Sequence, residues 1–286
     1  MPSLIDFRRR IRSVKNTQQI TKAMKMVSAA KLRRAQEAVV AGRPFAGMLQ
    51  RMLANVAGAV AGNDSGNEHP LLQQREQKRA LVVLVSADRG LAGAFNSNVN
   101  RGAQKFMQDL PGVAFEIEAV GKKGRDYFRR RGFTIAGDHQ NFSRKPNYGD
   151  VATVAKKVSA RYAAGEVDAV YLAYNEFKSV MTQQFRMVQV LPVPLPSGGA
   201  TTNYIYEQPA DELLGSLLPR YVEIELWRSV LESTASEHAA RMTAMDAASR
   251  NATDVIERVT LQMNRVRQAS ITREIIEVVS GASALK

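Results

Sequence analysis

The chain has 286 residues, 45% of them apolar, with a formal net charge of +13 and no cysteine. Such a composition excludes disorder as the default, a disulfide framework, a thiol nucleophile and cysteine-ligated metal. Charge is unevenly placed: residues 1–60 carry twelve Lys/Arg against Asp6 and Glu37, whereas residues 206–286 carry nine Lys/Arg against twelve acids. The basic N-terminal segment should therefore draw an acidic partner, a phosphate backbone or an anionic surface.

From Ser3 to Ala41 there is no Gly or Pro, and Pro2 and Ser3 suit a helix start. A helix of that length would run about 60 Å. MPSLIDFRRRIRS lacks the apolar core of a secretory signal and reads as mature protein. Leu4, Phe7, Ile11, Val14, Gln18 and Thr21 alternate spacings of three and four, a heptad seam. Beyond Thr21 two registers compete: Lys25 would continue the seam, while Ile20, Met24 and Val27 form a second stripe. Gly42-Arg43-Pro44 should interrupt or kink the helix, with 45–61 helical again and 62–70 a loop.

A different rhythm follows. Ala80–Ser86, Phe115–Val120 and Asp168–Tyr174 are short apolar runs of strand size, with helix-like stretches near 96–109, 122–131 and 149–165. This alternation predicts a small α/β layer with a mostly parallel sheet. The Pro- and Gly-rich stretch 191–203 closes it. No apolar run approaches the roughly 18–20 residues needed to span a bilayer.

From Tyr221 to Ser280 Gly and Pro are again absent, enough for a helix of about 90 Å. Met242, Met245, Ser249, Ala252, Ile256, Val259, Met263, Val266 and Ser270 hold the heptad spacing, with small or flexible side chains throughout. The expected fold is α/β: a long antiparallel coiled coil of N- and C-terminal helices with a central Rossmann-like domain. The expected segments are 1–61, 75–195 and 206–286. The longer C-terminal helix should protrude beyond its mate.

Three stretches carry a family resemblance. Residues 11–34 (IRSVKNTQQITKAMKMVSAAKLRR), 86–96 (SADRGLAGAFN) and 267–281 (RQASITREIIEVVSG) are similar to signatures of the γ subunit of bacterial F-type ATP synthases, and the likeness runs along the whole chain. The resemblance implies a non-catalytic shaft inside a ring of three α and three β subunits. Its foot would rest against the ε subunit and the membrane c-ring, at the cytoplasmic side of the bacterial inner membrane. It implies β-subunit contacts for Met24 and Lys25, and for Arg241 on the other helix. Arg267, Gln268, Thr272 and Glu274 resemble the family's polar "catch", and Tyr204 and Glu207 its foot near ε and the c-ring. No cofactor is implied.

Other readings of the residues stay open beside it. Lys22, Met24, Lys25, Lys31, Arg33 and Arg34 also fit a solvated face, although the lopsided charge between the two helices favours a partner. Asp88–Asn96 lacks both GxGxxG and GxxxxGK[ST], so a turn using Gly90 and Gly93 is favoured over a phosphate cradle. His69, His139 and His238 have no metal-ligand spacing. Two other classes compete: a basic coiled-coil nucleic-acid-binding protein, although residues 1–60 hold only Phe7 and Phe45 as aromatics, and a small-molecule enzyme on the α/β domain.

Overall fold

Ser3 opens the first helix with a reciprocal cap. Its hydroxyl accepts from the Asp6 N–H at 3.3 Å, and the Asp6 carboxylate accepts from the Ser3 N–H at 3.0 Å. The computed structural model describes residues 3–60, 69–142, 146–194 and 208–284. Two units emerge: Met1–Ser28 with Met242–Lys286, and Ala29–Arg241.

Helix α1 is Leu4–Val60 and runs without a break through Gly42-Arg43-Pro44. The expected interruption is absent, although Pro44 offers no N–H to the helix. Its inward positions explain why. Buried or half-buried residues fall at Leu4, Phe7, Ile11, Val14, Gln18, Thr21, Lys25 and Ser28, then at Leu32, Ala35, Val39, Gly42, Ala46, Leu49, Leu53 and Val56. The three-four spacing never slips. Pro44 lies off this seam and is exposed. The competing stripe is settled too, since Ile20 and Val27 are exposed.

The first unit pairs the start of α1 with the end of α5 (Ala210–Ala284). Gln18 meets Thr253, Thr21 meets Ser249 and Lys25 meets Asp246. Numbers rise on one helix as they fall on the other, so the pair is antiparallel. The inward positions of α5 are those its heptad spacing predicts, Met242 through Ser270, and every described side chain from Ile271 onward is exposed.

The second unit holds a five-stranded sheet in the order β3-β2-β1-β4-β5. The strands are β1 (Arg79–Val85), β2 (Ala114–Val120), β3 (Thr134–His139), β4 (Ala169–Phe177) and β5 (Gln183–Leu191). All neighbours run parallel except β5, which returns antiparallel along β4. Strands β3 and β5 add to the three that the sequence reading identifies.

Alternation divides the core in two. Leu81, Val83 and Val85 of β1 face a cluster with Leu49 and Leu53 of α1, Val154 and Val158 of α4 (Tyr148–Ala163), and Leu218 and Val222 of α5. Ala80, Val82 and Leu84 face α2 (Phe95–Gln108) and α3 (Lys122–Arg129) through Val99, Ala103 and Phe128. Because both faces are covered, β1 is apolar at every position after Arg79. Gly121 adopts φ 108° where α3 starts, and a Cβ there would strike the Ser86 carbonyl, so only glycine fits. Helix α5 begins at Ala210, eleven residues before the expected Tyr221, and includes Gly215 and Pro219.

Candidate functional site

Open α/β sheets bind ligands beyond the carboxyl ends of their parallel strands. In this chain its own side chains fill that ground. Asp88, just after β1, accepts from the N–H groups of Lys122 at 3.1 Å and Asn141 at 2.8 Å. Asn96 accepts from the Ala87 N–H at 3.0 Å. The turn between them uses left-handed backbone at Leu91 and Gly93, not at the expected Gly90. The loop thus spends Asn96 on its own closure and Asp88 on the backbone of two neighbouring segments, as the turn reading requires.

Helix α5 crosses the same strand ends. Ser233 donates to the Val85 carbonyl at the end of β1, and Ser236 to the Asn175 carbonyl of β4 at 2.9 Å. Glu232 accepts from the Phe177 N–H at 3.0 Å. Arg241 donates to the Gly90 carbonyl at 3.3 Å and to Glu237 at 2.6 Å. Its side chain is only 11% exposed, so the guanidinium is committed within the chain.

In the first unit Lys25 is likewise engaged. Its ammonium lies 2.5 Å from Asp246, on which Arg250 also closes at 3.2 Å. The hydrogen bond from Lys25 holds the Asp246 carboxyl below the usual carboxylate range. Met24, beside it, is half-buried. Asp246 was missed in the sequence. The signal was there: a lysine on a seam needs an acid opposite, although sequence alone does not say which.

The end of α5 is the reverse case. Arg267, Gln268, Thr272 and Glu274 are all exposed. Among the described residues neither the Arg267 nor the Gln268 side chain makes a hydrogen bond within the chain, while Glu274 accepts from Ser270 at 3.2 Å. At about 100° per residue, Arg267, Gln268, Thr272 and Glu274 share one broad face with Ile271, Ile275, Val278 and Val279. These four aliphatics are 48–72% exposed. Aliphatic contact area beside free guanidinium and amide donors is equipment for docking, not for covalent chemistry. Sequence reading selected the polar members and passed over the aliphatic ones.

The histidines serve the fold. His69 accepts from the Leu71 N–H, His139 bonds the fully buried Glu118 at 2.7 Å, and His238 accepts from Arg241 at 3.3 Å. Among the described residues no three His, Cys, Asp or Glu converge as a metal site. Tyr204 and Glu207 lie outside the described residues.

Together these features define a class: an α/β body with its ligand crevice closed by its own helix, and a coiled coil whose end is exposed among the described residues. Comparison with known proteins gives the family. The model described as ATP synthase matches residues 3–285. The ATP synthase gamma chain of Solibacter usitatus is 55% identical over 284 residues, covering 99% of each chain. That of Anaeromyxobacter sp. is 49% identical over the whole of both. Among solved structures, the central stalk and c-ring assembly of Tetrahymena thermophila mitochondrial ATP synthase contains a chain 28% identical, with a TM-score of 0.63, covering 80% of this chain and 99% of that one. A rotor chain from Euglena gracilis mitochondrial ATP synthase shares the fold at 18% identity and TM-score 0.63, covering 94% of this chain and 98% of that one. The chain belongs to the ATP synthase γ-chain family. That membership leaves the nucleic-acid reading without support.

Proposed function

We propose that the chain is the central-stalk rotor of a proton-translocating ATP synthase. It is a non-catalytic subunit that couples rotation of a membrane c-ring to conformational change at the β-subunit nucleotide sites of an α3β3 ring. One observation carries the reading: past Ser270, α5 has no mate among the described residues yet displays Ile271, Ile275, Val278 and Val279 beside Arg267 and Gln268. A surface of that kind is costly in water unless another protein covers it. An asymmetric coiled coil inside three identical neighbours would favour a different conformation in each, and turning it would pass those conformations around the ring.

The α/β body, with ε, would seat the rotor on the c-ring at the cytoplasmic face of a bacterial inner membrane. Among the described residues no helix is long and apolar enough to cross the membrane, so attachment would run through those partners. The polar members of the band, Arg267, Gln268, Thr272 and Glu274, would latch a loop of one β subunit in one angular state. Met24 would meet the β subunit from the other helix, and the Lys25–Asp246 pair would present a fixed charge pattern there.

Reconstitution tests this. The purified chain alone should not hydrolyse ATP. Mixed with α and β subunits, it should restore ATPase activity, and a bead fixed to the α/β body should rotate in one direction during turnover. Hydrolysis by the chain alone, or an α3β3 ring whose activity ignores the chain, would refute the proposal.

A further inference from the structure

The buried seam of α1 loses its side chain at one place, Gly42. The flanking seam positions, Val39 and Ala46, are buried. A Cβ added at Gly42 meets no atom of the described residues within 4 Å. A mid-helix glycine is unfavourable in itself, yet this one leaves open space of about 320 Å³ within the second unit. Ile224 and Leu231 of α5 line it with Val39 and Ala46, so those walls are aliphatic. Trp227 and Tyr148 form an aromatic side, packed edge to face at 5.8 Å, and the Tyr148 hydroxyl is held on Glu223 at 2.8 Å. The volume lies at the small end of ligand cavities, room for roughly one ring and a short chain.

Three charged groups also line the cavity. Glu232 is committed: one oxygen accepts from the Phe177 N–H and the other lies 3.4 Å from Arg43. Arg43 is half-exposed beyond that long contact. Arg228, whose side chain is 36% exposed, is held only loosely, 3.7 Å from Glu225, and its Nε is buried with no acceptor among the described residues. A buried donor without an acceptor is costly and uncommon in a finished fold. We infer that this cavity is a binding site for a small amphipathic anion, its apolar ring or chain lying where the Gly42 side chain is missing and its carboxylate or sulfonate accepting from Arg228, with Arg43 adding positive charge. The inference rests on the second unit alone and does not depend on the rotor reading.

Trp227 is the only tryptophan in the chain, so its emission reports this cavity directly. The full-length chain is titrated with 4-phenylbutyrate and, separately, with the uncharged 4-phenylbutan-1-ol. The acid should give a saturable change in Trp227 emission and bind about tenfold more tightly than the alcohol, the ratio one charge-assisted hydrogen bond supplies. Gly42→Leu, which fills open space and gains helix propensity, should abolish the response to both. Arg228→Gln should bring the acid down to the affinity of the alcohol. Circular dichroism checks that each variant is folded; should Gly42→Leu fail that check, the acid-to-alcohol ratio in wild type and Arg228→Gln decides alone. Equal binding of acid and alcohol in wild type, an unchanged ratio in Arg228→Gln, a folded Gly42→Leu that still responds, or no saturable response at all would each overturn the inference.

Discussion

Two stretches of helix α5 invert the usual rule of what goes inside. From Ser229 to His238 it buries Ser229, Glu232, Ser233, Thr234, Ser236, Glu237 and His238. From Ile271 to Val279 it exposes five β-branched aliphatic residues. The first stretch lies across strand ends and an adjoining loop, where backbone groups lacking ladder partners are met by serine hydroxyls and a carboxylate. The second has no described residue covering it. Burial along this helix follows the availability of partners, and hydropathy alone mispredicts both stretches. Polar residues inside mark where the chain satisfies itself; aliphatic residues outside mark where it does not.

The largest effect should come from His238. Burial, with Arg241 and Lys31 nearby, pushes its pKa down from 6.5 to about 4. Between those values the unfolded chain binds a proton at this residue and the folded chain does not, so stability falls as pH drops from 6.5 toward 4 and is complete above 6.5. The whole span amounts to about 3 kcal/mol. In His238→Gln that contribution should vanish, so urea denaturation of wild type and variant at several pH values should give profiles that diverge between 6.5 and 4. Parallel profiles would show that the imidazole titrates normally and that the buried stretch is looser than its packing suggests.

Next comes Glu232→Ala, which strips the Phe177 N–H of its acceptor inside the fold. The expected loss is about 2 kcal/mol, the cost of leaving a buried donor unpaired. Ile275→Ala, on the exposed stretch of the same helix, should stay within about 0.5 kcal/mol. Similar losses for the two would erase the distinction between the stretches.

The Lys25–Asp246 pair should matter less to folding. Both side chains are partly exposed, and such pairs contribute under about 1 kcal/mol. Asp246 has its pKa lowered chiefly by the Lys25 hydrogen bond, so what stability the pair gives is present above the ordinary aspartate value and is lost as pH falls below it. A double-mutant cycle with Lys25→Ala and Asp246→Ala measures it. In the assembled complex, Lys25→Glu should alter coupling while helix content stays unchanged. A coupling energy well above 1 kcal/mol would make the pair a fold determinant instead.

Much of this architecture was legible in the sequence, for identifiable reasons. Strands β1, β2 and β4 read clearly because they lie in the middle of the sheet, with both faces covered. Strand β5, QQFRMVQVL, alternates Phe185 and Met187 with polar residues, as suits an antiparallel edge, and so produces no apolar run. Strand β3 carries Gly137 and Asp138 at the other edge. The seam of α1 blurred after Thr21 because Lys25 and Ser28 occupy it, and the partner of Lys25, Asp246, lies 221 positions away. Arg241 stands in the sequence as an ordinary helix cation; only the fold brings the Gly90 carbonyl to it. Gly42 looked like a breaker because a sequence shows the missing side chain but not the space around it.

The smallest effect on stability, and the most telling for function, should come at the exposed end of α5. Arg267→Ala, Gln268→Ala and Ile275→Glu change exposed side chains, and among the described side chains removal of residues 281–286 costs only the Ser283 hydroxyl's bond to the Val279 carbonyl of its own helix, so the free chain should unfold within about 0.5 kcal/mol of wild type in every case. Assembly separates them. A guanidinium or amide can form charge-assisted bonds of about 1.5–3 kcal/mol with a charged partner, and on the proposed latch reading such bonds would hold one angular state and would have to break before the next. Aliphatic surface makes few directional bonds and turns against an apolar collar without deep wells. In complexes matched for subunit content, Arg267→Ala and Gln268→Ala should therefore lower steady-state ATPase activity several-fold. Ile275→Glu should weaken assembly, because it carries a charge into a surface meant to be dry. Loss of Gly281 and the residues after it, which present small or apolar side chains until the final lysine, should be tolerated. If the truncation is the more damaging change, or if the two alanine variants run at wild-type speed, the aliphatic tip holds the rotor and the polar band does not.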